Sequence, residues 1–209
     1  ESVQKVMKHG QYILGPEVDE LERCLSSFVG SKHCVTVSSG TDALLMSLMA
    51  TGIKPGDEVL TTPFTWISTV EVLKLIGATP VYVDIDKTTF NLDPDKLEKK
   101  ITSRSKAIMP VNLFGQCADF DKINSIAKKY NLLVFEDAAQ SFGAVYRNQN
   151  SCSLGTIGCT SFFPSKPLGC YGDGGACFTD DDELFDKLKA IRFHGKKDTF
   201  KYLGINGRL

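Results

Sequence analysis

Lys166 ends the run Ser161-Phe162-Phe163-Pro164-Ser165-Lys166, and upstream of it Glu136-Asp137 closes the apolar stretch Leu132-Leu133-Val134-Phe135. A primary amine can condense with an aldehyde, and a carboxylate can keep a heterocyclic nitrogen protonated. A third part is Ser38-Ser39-Gly40-Thr41, which follows the strand-like His33-Cys34-Val35-Thr36-Val37 and opens a helix. Free backbone N–H groups there can receive a phosphate. Amine, carboxylate and anion loop together are what a protein needs to hold pyridoxal 5'-phosphate.

Each part also has a plainer reading. An isolated loop lysine is usually solvated, but Pro164 and Pro167 fix the backbone on either side of Ser165-Lys166, and Gly169, Gly172, Gly174 and Gly175 permit tight turns and close approach. A lysine that condenses with an aldehyde must also lose its proton near neutrality, which desolvation or a neighbouring cation can bring about. Asp137 could cap a helix starting near Ala138, or point from a strand end into a cleft. Gln140, one helical turn further on, is a solvated residue or a cofactor contact. Trp66, the single tryptophan, packs in a core or interface, or stacks on a ring. The Ser161 hydroxyl binds phosphate or satisfies backbone. The basic run Arg192-Phe193-His194-Gly195-Lys196-Lys197, with Lys201 and Arg208, is a solvated face or a diphosphate site.

These groups need a scaffold. Gly15-Pro16 introduces a helix with Val18, Leu21, Leu25 and Phe28 on one face and Gly30 as its stop. The spacing then predicts strand His33–Val37, helix Thr41–Thr51, a turn at Lys54-Pro55-Gly56-Asp57 and strand Glu58–Thr62. Helix 66–75, strand Thr79–Val83, a short helix Asp95–Lys100 and strand Ala107–Val111 follow. The series closes with helix Phe120–Tyr130, strand Leu132–Phe135, a strand pair around Gly158–Phe162 and Ala176–Thr179, and helix Asp181–Ile191. Strands alternating with helices predict an α/β fold, a mostly parallel central sheet with helices on both faces. Ligands of such sheets bind beyond the carboxyl ends of the strands. Gly40-Thr41, Phe64-Thr65-Trp66, Asn112 and Asp137 all fall there.

Composition narrows the function classes. The 209 residues carry a formal net charge of −1 and 42% apolar content, enough for a substantial core and too balanced to steer the chain globally to nucleic acid. No membrane span and no signal-peptide run is present, which points to the cytoplasm. Seven unclustered cysteines without Cys-x-x-Cys spacing read as reduced, mostly buried thiols, and three scattered histidines give no metal site. Both ends look abrupt, so the expectation is a fragment.

The linked motifs Gly15-Pro16-Glu17-Val18, Ser38 to Leu44, Pro55-Gly56-Asp57-Glu58-Val59, Glu136-Asp137-Ala138-Ala139-Gln140 and Ser161 to Gly175 resemble the DegT-type sugar aminotransferases, fold type I pyridoxal phosphate enzymes acting on nucleotide-linked ketosugars. The resemblance implies that residues 1–209 are the cofactor-binding large domain, with a small domain outside the sequence. It implies Lys166 as the catalytic lysine bonded to the cofactor, Asp137 as the ring-nitrogen partner, Gly40, Thr41 and Ser161 as phosphate contacts, Trp66 as a stacking aromatic and Gln140 as a neighbour of the ring hydroxyl. Asn206 looks like the asparagine given to the phosphate of the partner subunit, so a homodimer is implied. Gly207 and Asn112 depart from the family's common serine and histidine.

The Ser161 to Gly175 wording looks most like the branch that aminates the 3-keto group of a UDP-linked N-acetylated uronic acid for surface polysaccharide, with glutamate as amino donor. Rival expectations are a non-catalytic binding or regulatory homologue and a sugar dehydratase. Dehydratase relatives carry histidine at the lysine position, which Lys166 opposes.

Overall fold

A computed structural model describes residues 2–196 and 199–209. Helix α1 (Ser2–His9) leads into α2 (Pro16–Val29), whose Pro16 suits a first helical turn and whose stop, Gly30, takes φ 80°. Strand β1 (His33–Val37) feeds α3 (Gly40–Ala50), and β2 (Glu58–Thr61) feeds α4 (Ser68–Leu75). Then come β3 (Thr79–Tyr82), β4 (Ser105–Met109), α5 (Phe120–Tyr130) and β5 (Leu133–Asp137). A two-strand ribbon, β6 (Val145–Tyr146) and β7 (Gln149–Asn150), precedes β8 (Ile157–Ser161), β9 (Gly175–Thr179) and α6 (Asp182–Arg192).

Seven strands form one sheet in the order β1-β9-β8-β5-β4-β2-β3. All neighbouring pairs from β8 to β3 are parallel, and β9 alone runs against both of its neighbours. The mostly parallel sheet expected from the sequence is therefore present. Because side chains alternate along a strand, each strand serves two cores. Val35, Val37, Ala107, Met109, Phe135 and Cys177 join one cluster with α3 and α6, whereas Cys34, Ile108, Val134 and Phe178 join clusters on the α2 and α5 side. Helix α3 is apolar on nearly every side because it lies between the sheet and α4 and α6, burying Ala43, Leu44, Met46 and Leu48.

Three local expectations need correction. Residues 94–100 form two 3-10 turns, Pro94–Lys96 and Glu98–Lys100, rather than a short helix. Asp137 caps no helix, because 139–143 is a series of turns after which Ser151 N–H bonds Ala144 O. Gln140 therefore does not lie one helical turn beyond Asp137. All seven cysteines are free, and Cys34, Cys152, Cys159 and Cys177 are buried. No helix among the described residues is long and apolar enough to cross a membrane.

Candidate active site

The sheet brings the ends of several strands into one row. Val37 and Ser161 both pair with Gly175, and Asp137 pairs with Cys159 two residues before Ser161. Gly175 is required by proximity: a Cβ there would lie 2.6 Å from Ser39 O and 2.7 Å from Thr160 O. Above this row opens a cleft of about 710 Å³, lined by Gly40, Thr41, Trp66, Asp137, Ser161 and Lys166 among others. Its size suits a cofactor or small substrate.

Helix α3 presents its amino terminus to the cleft. Ser39 is the cap, its Oγ accepting from Asp42 N–H at 3.0 Å and its carbonyl from Ala43 N–H. The N–H groups of Gly40 and Thr41 stay available for an anion. A Cβ on Gly40 would sit 2.6 Å from Ser161 Cβ, so only glycine lets α3 approach β8 this closely. Ser161 Oγ accepts from Phe163 N–H at 3.3 Å and retains its proton for another acceptor. Thr41 Oγ1 donates to Ser68 Oγ at 3.0 Å, tying α3 to α4.

Lys166 is held by its loop. Its N–H bonds Phe163 O at 2.8 Å, Cys170 N–H bonds Phe162 O, and Phe162 N–H bonds Gly174 O. Gly169 again answers to crowding, since a Cβ would meet Pro164 O at 2.5 Å. Lys166 Nζ donates to Gln140 Oε1 at 3.1 Å, so Gln140 reaches the lysine itself.

Asp137 is 5% exposed and faces the cleft. Its Oδ2 accepts from Thr69 Oγ1 at 2.8 Å, and its Oδ1 from Ala139 N–H at 3.3 Å. Burial pushes its carboxyl above the ordinary aspartate range, against the pull of those bonds and of Lys166. A cationic ring N–H placed beside it would relieve that cost. Glu136 points to the other face, where it accepts from Asn112 Nδ2, Ser151 Oγ, Cys152 N–H and Leu154 N–H.

Several expectations change here. Asn112 is buried, binding Glu136 and accepting from Ala118 N–H at 2.9 Å, and stands outside the cleft. Trp66 is no core residue; 72% exposed, it stands on the cleft rim. Arg192 is buried in an ion pair with Glu22, and no described residue of the basic run lines the cleft; Lys197 lies outside the described residues. The expectation for Asn206 concerns a partner subunit's site and is unaffected: the residue is exposed and lies outside this chain's own cleft, in a segment that runs back along α6. The sequence reading placed Thr65 at a strand end but missed Thr69, which the Thr-x-x-x-Thr spacing could have brought beside it at the start of α4.

The DegT/DnrJ/EryC1/StrS aminotransferase family matches residues 1–209. The chain belongs to this family. It is 59% identical over 209 residues to the UDP-2-acetamido-2-deoxy-3-oxo-D-glucuronate aminotransferase of Pseudomonas aeruginosa, covering 99% of this chain and 58% of the relative. A family aminotransferase from Brucella abortus superposes with TM-score 0.95 at 46% identity, over 99% of this chain and 58% of that one. NtdA from Bacillus subtilis, solved with bound cofactor PMP, superposes with TM-score 0.93 at 35% identity, over 99% and 48%. The chain thus spans about half the length of the relatives it matches. Its residues fit pyridoxal phosphate: a helix terminus crowded against Ser161, a buried carboxylate and a lysine line one cleft.

Proposed function

We propose that this chain is the cofactor-binding large domain of a pyridoxal 5'-phosphate-dependent aminotransferase. The observation that carries the reading is the shared cleft, into which the amine of Lys166, the buried carboxylate of Asp137 and the free N–H groups of α3 all open. When bound, the cofactor stores the amino group between two half-reactions and accepts the electron pair released when a Cα–H bond breaks. Gly40, Thr41 and Ser161 hold its phosphate through two backbone N–H groups and a hydroxyl. Asp137 keeps the ring nitrogen protonated. Trp66 covers one ring face from the rim. Lys166 would hold the cofactor through its aldehyde, and its Nζ, once freed, would serve as the base that takes the proton from the donor Cα. Gln140, already bonded to Nζ, steadies that amine.

The substrate class follows from similarity. The Pseudomonas aeruginosa relative is named for a UDP-linked 3-oxo sugar, and we assign a UDP-linked 3-ketosugar here, with glutamate as donor and a surface-polysaccharide aminosugar as product. The enzyme is a cytoplasmic homodimer in which each Asn206 serves the partner's phosphate.

Borohydride reduction of the intact protein with pyridoxal phosphate, followed by peptide mass spectrometry, tests the reading. The expected adduct is on Lys166, and Lys166→Ala is expected to abolish transfer of nitrogen from glutamate to a UDP-3-ketosugar. An adduct elsewhere, or turnover retained in Lys166→Ala, refutes it.

A further inference from the structure

Asp137 is reached from the cleft by a second route. Thr69, fully buried on α4, donates its single hydroxyl proton to Asp137 Oδ2 at 2.8 Å. The same Thr69 oxygen lies 2.8 Å from Thr65 Oγ1. With the Thr69 proton committed to the carboxylate, Thr65 has to be the donor in that contact. The chain therefore has a direction, Thr65 to Thr69 to Asp137, and every proton in it points at the carboxylate. Thr65 is half-buried and lines the cleft; Thr69 borders the cleft too but is fully buried, its hydroxyl proton given to Asp137.

We infer that Thr69 is a positioning residue that orients Asp137 and holds it ionised for the ring nitrogen, with Thr65 completing the relay. The inference rests on the pyridoxal phosphate reading above and names its support.

The groups around Asp137 explain why a donor is needed. Among the described residues, Lys166 is the one cation that bears on it, from the loop after β8. Cys159, its pairing partner on β8, is itself buried and offers no positive charge. Glu136 lies on the opposite face of β5 and is engaged with four donors of its own. From α4 the sole stabilising group is the Thr69 hydroxyl. Ala139 N–H, at 3.3 Å, is the longer of the two bonds to the carboxylate and leaves Oδ1 acceptor capacity for a ligand.

Removing a hydrogen bond to a charged group costs on the order of ten- to a hundredfold in an equilibrium constant. The test measures the dissociation constant of pyridoxal 5'-phosphate for the intact protein between pH 5.5 and 8.5, in wild type, Thr69→Val, Thr69→Ser and Thr65→Val. Thr69→Val, close to isosteric, is expected to weaken binding about tenfold or more at pH 6 and to move the pH of half-maximal affinity up by about one unit. Thr69→Ser keeps the hydroxyl and is expected to restore both, which a packing role for the methyl group would not do. Thr65→Val is expected to shift the profile in the same direction by less; it carries the test if Thr69→Val does not fold. A wild-type profile in Thr69→Val, or a Thr69→Ser profile as shifted as the valine one, overturns the relay while leaving the cofactor assignment standing. If Thr69→Val does not fold, an unshifted Thr65→Val profile overturns it. No binding by wild type defeats both.

Discussion

Gly40→Ala isolates the contact on which the anion cradle depends. The new Cβ would lie 2.6 Å from Ser161 Cβ, 3.1 Å from Ser161 Oγ and 3.2 Å from Ser161 Cα. Carbon atoms pack best near 3.5–4.0 Å, so the pair must separate by about 1 Å. Ser161 cannot give, because β8 is paired with β5 on one side and β9 on the other. The start of α3 must therefore move. Overpacking of this kind costs about 1–3 kcal/mol, and three short contacts at once put it in the upper half of that range. A compatible Gly→Ala change gains about 0.4–1 kcal/mol through the unfolded chain, leaving a net loss of about 1–2.6 kcal/mol. For a chain of this size that is about 2–10 °C in melting temperature. Displacing the Gly40 and Thr41 N–H groups by about 1 Å also stretches any bond to a phosphate beyond useful length. The assay is thermal melting without cofactor, then pyridoxal phosphate affinity. Ser161→Gly in the same chain removes the two nearest side-chain atoms, so the double variant should lose less than the sum of the single ones by about 1 kcal/mol. Unchanged melting in Gly40→Ala, or strict additivity, would refute the reasoning.

Glu136→Gln should destabilise the fold by about 1–3 kcal/mol in a denaturant titration, because the amide would turn an N–H toward a donor that the carboxylate now accepts from; an unchanged midpoint would count against that role. Glu58 accepts from Thr102, Arg104 and Ser105, which hold its carboxyl below the ordinary glutamate range. Its contribution is present above the unfolded pKa of about 4.3 and is lost as pH falls through the lower folded value, so Glu58→Gln should cost about 0.5–1 kcal/mol at pH 7 and progressively less as pH falls through that value. A pH-independent difference would oppose this. For Asn206, mixing inactive Lys166→Ala and Asn206→Ala protein should restore activity, because a mixed dimer holds one site with both native residues. No recovery would place Asn206 in its own subunit's site or outside any.

Much of this was readable in the sequence because the signals were local. The apolar runs of β1, β4 and β5 and the Ser39 cap follow from neighbours in the chain, and they carry Gly40, Thr41 and Asp137 to the strand ends. What was hidden depends on partners distant in sequence. Asn112 stands at a strand end like a ligand group, yet Glu136 draws its amide away from the cleft. Arg192 reads as part of a basic face, yet Glu22 takes it into the core. Thr69 looks like an ordinary helix residue until α4 is laid against β5. The supposed helix after Asp137 failed for a similar reason. The Ser141 hydroxyl bonds Ser151, and the turns carry the chain to the ribbon.

Glu136 and Asp137 are adjacent carboxylates with opposite work, and the strand itself assigns it. Alternation sends Asp137 to the Phe135 side with α3 and α4, and Glu136 to the Val134 side with the ribbon and α5. Burial raises both carboxyls. Glu136 is compensated wholly by protein donors, which fasten the loop 151–154 to β5 and so fix the end of the strand. Asp137 is compensated only in part, by one hydroxyl, one long amide bond and a lysine. A buried carboxylate left short of donors costs stability, and the deficit is recovered when a cationic N–H arrives in the cleft. A one-residue slip of β5 would exchange the two, putting the satisfied carboxylate in the cleft and the unsatisfied one in the core. The register of β5 against β8 at Asp137 and Cys159 is thus as much a determinant of the site as Lys166 is.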